Sequence, residues 1–202
     1  MSRPLIVWDF DGVLNANIVD GRFVWTDHLY ADWGIMPADL SAHIFESGLI
    51  HEVLRGARDL RDVLVDWFAQ TGRDIDADAF LAYWFAQDAR PDTQVIGQLQ
   101  TPRFRHVIGT NNETRRAAYI ETEMGFGPLV ERVFSSGRMG CAKPEAAYFA
   151  HIEAWSGLPP DRHTLIDDTV ANVVAAKARG WRGFHFCADT RADLPAFLDA
   201  LP

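Results

Sequence analysis

Leu5-Ile6-Val7-Trp8 is an unbroken apolar run that ends at Asp9, with Asp11 and Gly12 close behind. Four consecutive apolar residues of strand length read as a strand buried on both faces, as in a parallel sheet. Gly12 permits a sharp exit that leaves both carboxylates at the strand's C-terminal edge. From about Asp92 onward, strand-like and helix-like segments alternate. The pattern predicts strands over 105–109, 132–135, 164–168 and 183–187, and helices over 114–124, 144–156, 170–179 and 191–201. Pro144 is expected in the first turn of its helix, where proline is tolerated, and Gly180 is expected to stop the helix before it. Joined to the first strand, these elements predict an α/β fold, a doubly wound parallel sheet covered on both faces.

Between Asn15 and Arg90 the period changes. Leu60, Val63, Leu64, Trp67 and Phe68 fall at helical spacing on one stripe, and Phe80, Leu81, Trp84 and Phe85 repeat it after the acidic, cap-forming stretch from Asp74 to Asp78. The expected organisation is an α/β core of residues 1–14 and 91–202 with a helical module, 15–90, inserted after the first strand. No internal repeat or low-complexity tract interrupts it.

Composition narrows the function. A chain of 202 residues, 48% of them hydrophobic, can bury a full core. A net charge of −9 with no basic run longer than a pair argues against a nucleic-acid partner. The apolar start is too short for a signal peptide or a membrane span, and Cys141 and Cys187 form no Cys-x-x-Cys pattern, so a cytoplasmic protein with reduced thiols is expected. Exposed apolar residues would serve either a monomer with a closing lid or a homodimer.

Two carboxylates one residue apart suit a nucleophile beside an acid/base, although Asp-x-Asp-Gly also ends ordinary strands as a turn. Asp167 and Asp168 follow a second apolar strand and would bring more negative charge to the same edge. Clustered carboxylates repel unless a cation neutralises them, and all-oxygen ligation points to Mg²⁺. Thr110, Asn111 and Asn112 end a strand before a helix, so hydroxyl, amide and free N–H groups could converge on an anion, or simply cap the helix. Lys143, just before Pro144, could place a point cation against Asp9 or remain a surface lysine.

Four blocks occur in order: 9–12, 107–112, 143–145 and 164–172. Together they resemble the haloacid dehalogenase superfamily, most of whose members are phosphatases. The resemblance implies that the insertion is a cap closing over the sheet edge. It implies that Asp9 attacks phosphorus to form an aspartyl phosphate while Asp11 protonates the leaving oxygen and then activates water. Thr110 would hold the transferring phosphoryl group, Asn111 and Gly12 would contact the phosphate or substrate, and Lys143 would offset developing charge. Asp9 and Asp168 would bind Mg²⁺ directly, Asp11 through its backbone carbonyl, Asp167 directly or through water, with Asn172 supporting them. The expected activity is Mg²⁺-dependent hydrolysis of a small phosphorylated metabolite. The alternatives are a phosphosugar mutase, a haloacid dehalogenase, whose members lack the second aspartate, or a binding protein that retains the fold.

His28, His43 and His51 show no metal-ligand spacing and are expected as surface or packing residues. Trp25, Trp33, Trp67, Trp84 and Phe85 could line a pocket for an apolar or sugar-like group, or pack the module's own core. Asn15 and Asn17 could touch substrate or simply turn the chain.

Overall fold

The structure is a computed structural model and describes residues 3–202. Strand β1 (Leu5–Trp8) is followed by a short hairpin, β2 (Ile18–Val19) and β3 (Arg22–Phe23). Six helices come next: α1 (Leu29–Trp33), α2 (Pro37–Leu40), α3 (Leu49–Leu54), α4 (Leu60–Gln70), α5 (Ala77–Asp88) and α6 (Thr93–Ile96). The chain then alternates through β4 (Arg105–Thr110), α7 (Thr114–Glu121), β5 (Val133–Ser135), α8 (Ser136–Met139), α9 (Ala146–Ser156), β6 (His163–Asp167), α10 (Val170–Ala178), β7 (Arg182–His185) and α11 (Leu194–Asp199).

The main sheet is parallel throughout, in the order β5-β4-β1-β6-β7, with Val7 opposite Val107 on one side and Leu165 on the other. Its central strand explains the unbroken apolar run. Ile6 and Trp8 join Ile108 and Ile166 in one apolar layer, capped by Val95, Leu99, Leu194 and Leu198. Leu5 and Val7 join Val107 and Leu165 in the layer on the opposite face, against Tyr148, Phe149, Ile152 and Trp181. Alternate side chains of one strand thus feed two cores. Each fully buried aliphatic side chain contributes about 1.5–3 kcal/mol.

The insertion has a third apolar cluster of its own. Leu60, Val63, Leu64, Trp67 and Phe68 are all buried on α4, and they meet Phe80 and Leu81 of α5. Asp59 and Asp76 cap these two helices by accepting from Arg61 N and Ala79 N, both at 2.8 Å. The hairpin, the short helices α1–α3 and a π-helical turn over Ser41–Glu46 add to what periodicity alone marks.

Three expected helices end elsewhere. The helix expected over 144–156 begins at Ala146, because residues 142–145 form a turn closed by Glu145 N donating to Ala142 O at 2.8 Å. The Lys143–Pro144 bond within it is cis. The helix expected to reach Met124 stops at Glu121, where Met124 N reaches back to Tyr119 O and Gly125 takes φ 73°. The closing helix opens as a 3₁₀ turn, Arg191–Asp193, and becomes α-helical only at Leu194, so that Pro195 falls in a first turn where its missing N–H is harmless. Among the described residues no helix is long and apolar enough to cross a membrane.

Candidate active site

The C-terminal ends of β1, β4 and β6 bring the singled-out residues to one edge of the sheet. Asp9 N continues the ladder by donating to Ile166 O at 2.8 Å, so the residue is held to β6 as the chain leaves β1. Asp9 Oδ1 accepts from Phe10 N at 2.7 Å and lies 2.9 Å from Lys143 Nζ. The same ammonium donates to Asp167 Oδ2 at 2.6 Å. Lys143 is 4% exposed, so its cation is committed to these two carboxylates and is no surface charge.

Asp167 is fully buried, and its other oxygen accepts from Thr169 N and Asn172 Nδ2, each at 2.9 Å. Asp168 is half-buried beside it, with Oδ1 accepting from Thr169 Oγ1. Oxygens of Asp9, Asp167 and Asp168 all lie within 4.8 Å of one another. Gly12 takes φ 78°, and a Cβ there would stand 2.4 Å from Asp168 Oδ2. Glycine is therefore what lets the β1 exit loop and the β6 carboxylate approach so closely.

Asp11 is aimed by three amides. Its Oδ1 accepts from Asn15 Nδ2 at 3.1 Å and Asn17 Nδ2 at 2.8 Å, and its Oδ2 accepts from Asn112 Nδ2 at 2.8 Å. Asn112 uses its second N–H on Thr110 Oγ1, also at 2.8 Å, tying the strand-end threonine to Asp11. Asn111 is turned toward the lysine loop: its amide donates to Lys143 O and accepts from Lys143 N, both at 2.9 Å.

Burial, then the neighbouring Asp167 carboxylate, raises the Asp9 pKa well above the usual carboxylate range even with Lys143 pulling the other way. Burial and Asp167 likewise raise Asp168. Burial disfavours the Lys143 ammonium, but Asp167 and Asp9 outweigh it and hold the group charged, above its ordinary value. One ammonium among these acids leaves the edge strongly negative. The hard oxygen donors of Asp9 and Asp168, pressed together with no second cation paired to them among the described residues, suit a divalent ion such as Mg²⁺.

Residues 4–180 match the family model of the haloacid dehalogenase-like hydrolases. The chain belongs to that family. A comparison with curated protein sequences yields no significant match. Among solved structures, a predicted hydrolase of this family from Porphyromonas gingivalis is 17% identical with a TM-score of 0.75, over 96% of this chain and 98% of that one. A family enzyme from Bacteroides thetaiotaomicron, in complex with magnesium and inorganic phosphate, is 16% identical with a TM-score of 0.77, over 93% and 96%. The L-2-haloacid dehalogenase of Xanthobacter autotrophicus, with chloropropionic acid covalently bound, is 17% identical with a TM-score of 0.64, over 100% and 85%. At these identities the likeness is one of fold.

This haloacid dehalogenase-like hydrolase also holds polar residues that the motifs do not mark. Asp88, the last residue of α5, pairs with Arg116 of α7 at 2.8 Å, and both are buried. Asp88 Oδ1 accepts from the same Asn17 Nδ2 that donates to Asp11, and Asp88 O accepts from Asn15 Nδ2. The insertion is thereby linked to the Asp11 loop through two asparagines. Burial, with Asp11 nearby, pushes the Asp88 pKa up to about 7 against the pull of Arg116. The available signal was Arg116 itself, a charge four residues before Ile120 on the buried face of α7. Asn172 supports Asp167 as expected. Trp33 and Trp67 pack the insertion's cluster, and His43 stacks on Trp67; Trp25, Trp84 and Phe85 belong to the same cluster and also line a cavity of about 260 Å³ beside Asp11. Cys141 and Cys187 are not bridged.

Proposed function

We propose that this hydrolase is a Mg²⁺-dependent phosphomonoesterase, acting on a small phosphorylated metabolite through an aspartyl phosphate on Asp9. The observation that carries the reading is the pair of differently held carboxylates: Asp9 bound to a buried lysine, and Asp11 held by three amide donors beside the cavity.

Asp9 attacks phosphorus, the bond from phosphorus to the ester oxygen breaks, and Asp11 gives that oxygen its proton. Asp11, now a carboxylate, takes a proton from water. The resulting hydroxide attacks the phosphoryl phosphorus, and the bond to Asp9 breaks to release inorganic phosphate. Thr110 donates its hydroxyl proton to a phosphoryl oxygen; Gly12 N is spent on Asn15 O and the Asn111 amide on Lys143, so these two shape the loops around the anion. Lys143 offsets negative charge on Asp9 before attack and on the phosphoryl group during it. Asp9, Asp168 and the Asp11 carbonyl would hold Mg²⁺, which would supply the positive charge a phosphate needs to approach these acids. Asp167, with both oxygens already engaged, acts by fixing Lys143. Residues 15–90 act as the cap and residues 1–14 with 91–202 as the catalytic body. Two unbridged cysteines fit a reducing compartment such as the cytoplasm.

Phosphate release from an aryl phosphate and a panel of sugar phosphates and nucleotides, with and without Mg²⁺, tests the reading in the native protein and in Asp9→Asn. Mg²⁺-dependent release lost in the variant is expected. Chloride release from 2-chloropropionate without metal would instead establish dehalogenase chemistry, against which Asp11 speaks.

A further inference from the structure

The cavity beside Asp11 has walls that differ sharply from the edge it adjoins. Trp25, Phe45, Val53, Leu54, Trp84 and Phe85 line it, all from the insertion, and half-exposed Phe23 of the hairpin stands at its rim. Trp25 and Trp84 stack on each other with ring centroids 4.3 Å apart.

Its polar lining is already satisfied within the protein. Arg116 donates to Phe85 O and to Asp88 Oδ2. Glu113 caps α7 by accepting from Arg115 N and Arg116 N. Asn112 spends both amide protons on Asp11 and Thr110. A hydroxyl-rich group entering here would give up its bonds to water and find few free partners, a cost that sites built for sugars avoid by presenting unpaired donors and acceptors. Asp11, Asp88 and Glu113 also outnumber Arg116 along the wall, so a second phosphate or a carboxylate would meet repulsion.

We propose that the substrate is the phosphomonoester of a neutral apolar alcohol, aryl or branched alkyl, whose leaving group occupies this cavity. The proposal rests on the phosphomonoesterase reading. A volume of about 260 Å³ equals that of roughly nine waters at ~30 Å³ each, so a group about the size of a naphthyl ring is accommodated. Asp11 lines the same cavity, so the proton donor of the proposed reaction borders the space the leaving group would fill.

The test compares kcat/KM of the Mg²⁺-loaded protein for 1-naphthyl phosphate, glucose 6-phosphate and glycerol 2-phosphate. Naphthyl phosphate is expected to lead glucose 6-phosphate by about a hundredfold. Trp84→Ala, or Leu54→Gln should the first not fold, is expected to cut the naphthyl-to-glycerol ratio about tenfold. Equal or faster turnover of glucose 6-phosphate overturns the proposal while leaving phosphatase activity established. Equilibrium dialysis against 1-naphthol separates the remaining case. Saturable uptake that Leu54→Gln removes, with no phosphate released from any ester, sinks the phosphatase reading and keeps the apolar site; no uptake, or uptake that Leu54→Gln leaves unchanged, sinks the site.

Discussion

The edge of the sheet and the floor of the insertion lie side by side and solve opposite problems. At the edge, Asp9, Asp167 and Asp168 surround one buried ammonium, and charge is crowded beyond what the protein alone neutralises. In the insertion, the cavity wall is mostly aromatic and aliphatic, and beside Asp11 at the edge its charged groups among the described residues are the Asp88–Arg116 pair and the helix-capping Glu113. The edge is poised to bind charge and the insertion to exclude it. A reaction that handles a phosphoryl group on one side and an organic remainder on the other needs that division, because electrostatic interactions strengthen as water leaves.

The sharpest break in the comparison is Asp9→Asn. It should lower kcat by roughly 10⁴-fold or more with little change in the unfolding midpoint, since it removes repulsion among buried acids as well as the proposed nucleophile. Retained turnover in a folded variant would remove the edge from the chemistry altogether.

Arg116→Met tests the joint between the two regions. It leaves Asp88 buried without its cation, and breaking one side of such a pair costs about 3–5 kcal/mol. Urea titration should show that loss, with much of it recovered in Asp88→Asn/Arg116→Met, which removes the stranded charge. A stability loss under 1 kcal/mol in the single variant would mean that water reaches Asp88 and that the joint is loose.

Gly12→Ala is expected to be smaller but confined to the edge. A methyl 2.4 Å from Asp168 Oδ2, at φ 78°, must push the carboxylate or the loop aside. Strain of this kind costs about 1–3 kcal/mol, and the Mg²⁺ concentration for half-maximal activity should rise about tenfold. An unchanged Mg²⁺ requirement would show that Asp168 is not a ligand.

The two regions also differ in how far the sequence discloses them. β1 is a continuous apolar run and β4 and β6 carry the apolar pairs Val107-Ile108 and Leu165-Ile166 just before polar residues, so both the strands and the residues at their edge were legible from the pattern. The pairing of Lys143 with Asp9 and Asp167 was only half legible, because a lysine's neighbours depend on where the preceding loop folds, and Asn111 sets that from 32 positions away. Stripes on α4 and α5 marked the helical insertion, yet they could not separate Trp67, which packs inward, from Trp84, which faces the cavity. Both obey the same helical spacing. Asp88 escaped notice because it looks like an ordinary surface charge until α5 is laid against α7, whereas Arg116 carried a faint signal in its place on the apolar stripe of α7 with Ile120.

A milder perturbation distinguishes the sheet body through its buried histidines. His106 Nδ1 accepts from the indole N–H of Trp8 at 3.1 Å, and its Nε2 lies 3.0 Å from Thr101 O. Because an indole nitrogen can only donate, Nδ1 must be unprotonated and Nε2 must carry the proton. Protonating His106 would set two N–H groups against each other beneath the residue that precedes Asp9. Burial lowers the His106 pKa, with the Thr101 carbonyl only partly opposing, and burial lowers His163 as well. Below the ordinary histidine value of about 6.5, the unfolded chain therefore binds protons that the folded chain resists. Stability is fully present above that value and falls as pH drops. Between pH 7.5 and 5.5 His106 should lower the unfolding free energy by up to about 1.4 kcal/mol, the ceiling for one histidine that stays neutral when folded, against an opposite contribution from Asp88, whose raised pKa favours the folded chain as pH drops. His106→Gln should remove that share of the slope, and an identical slope in the variant would show that the acid sensitivity arises elsewhere.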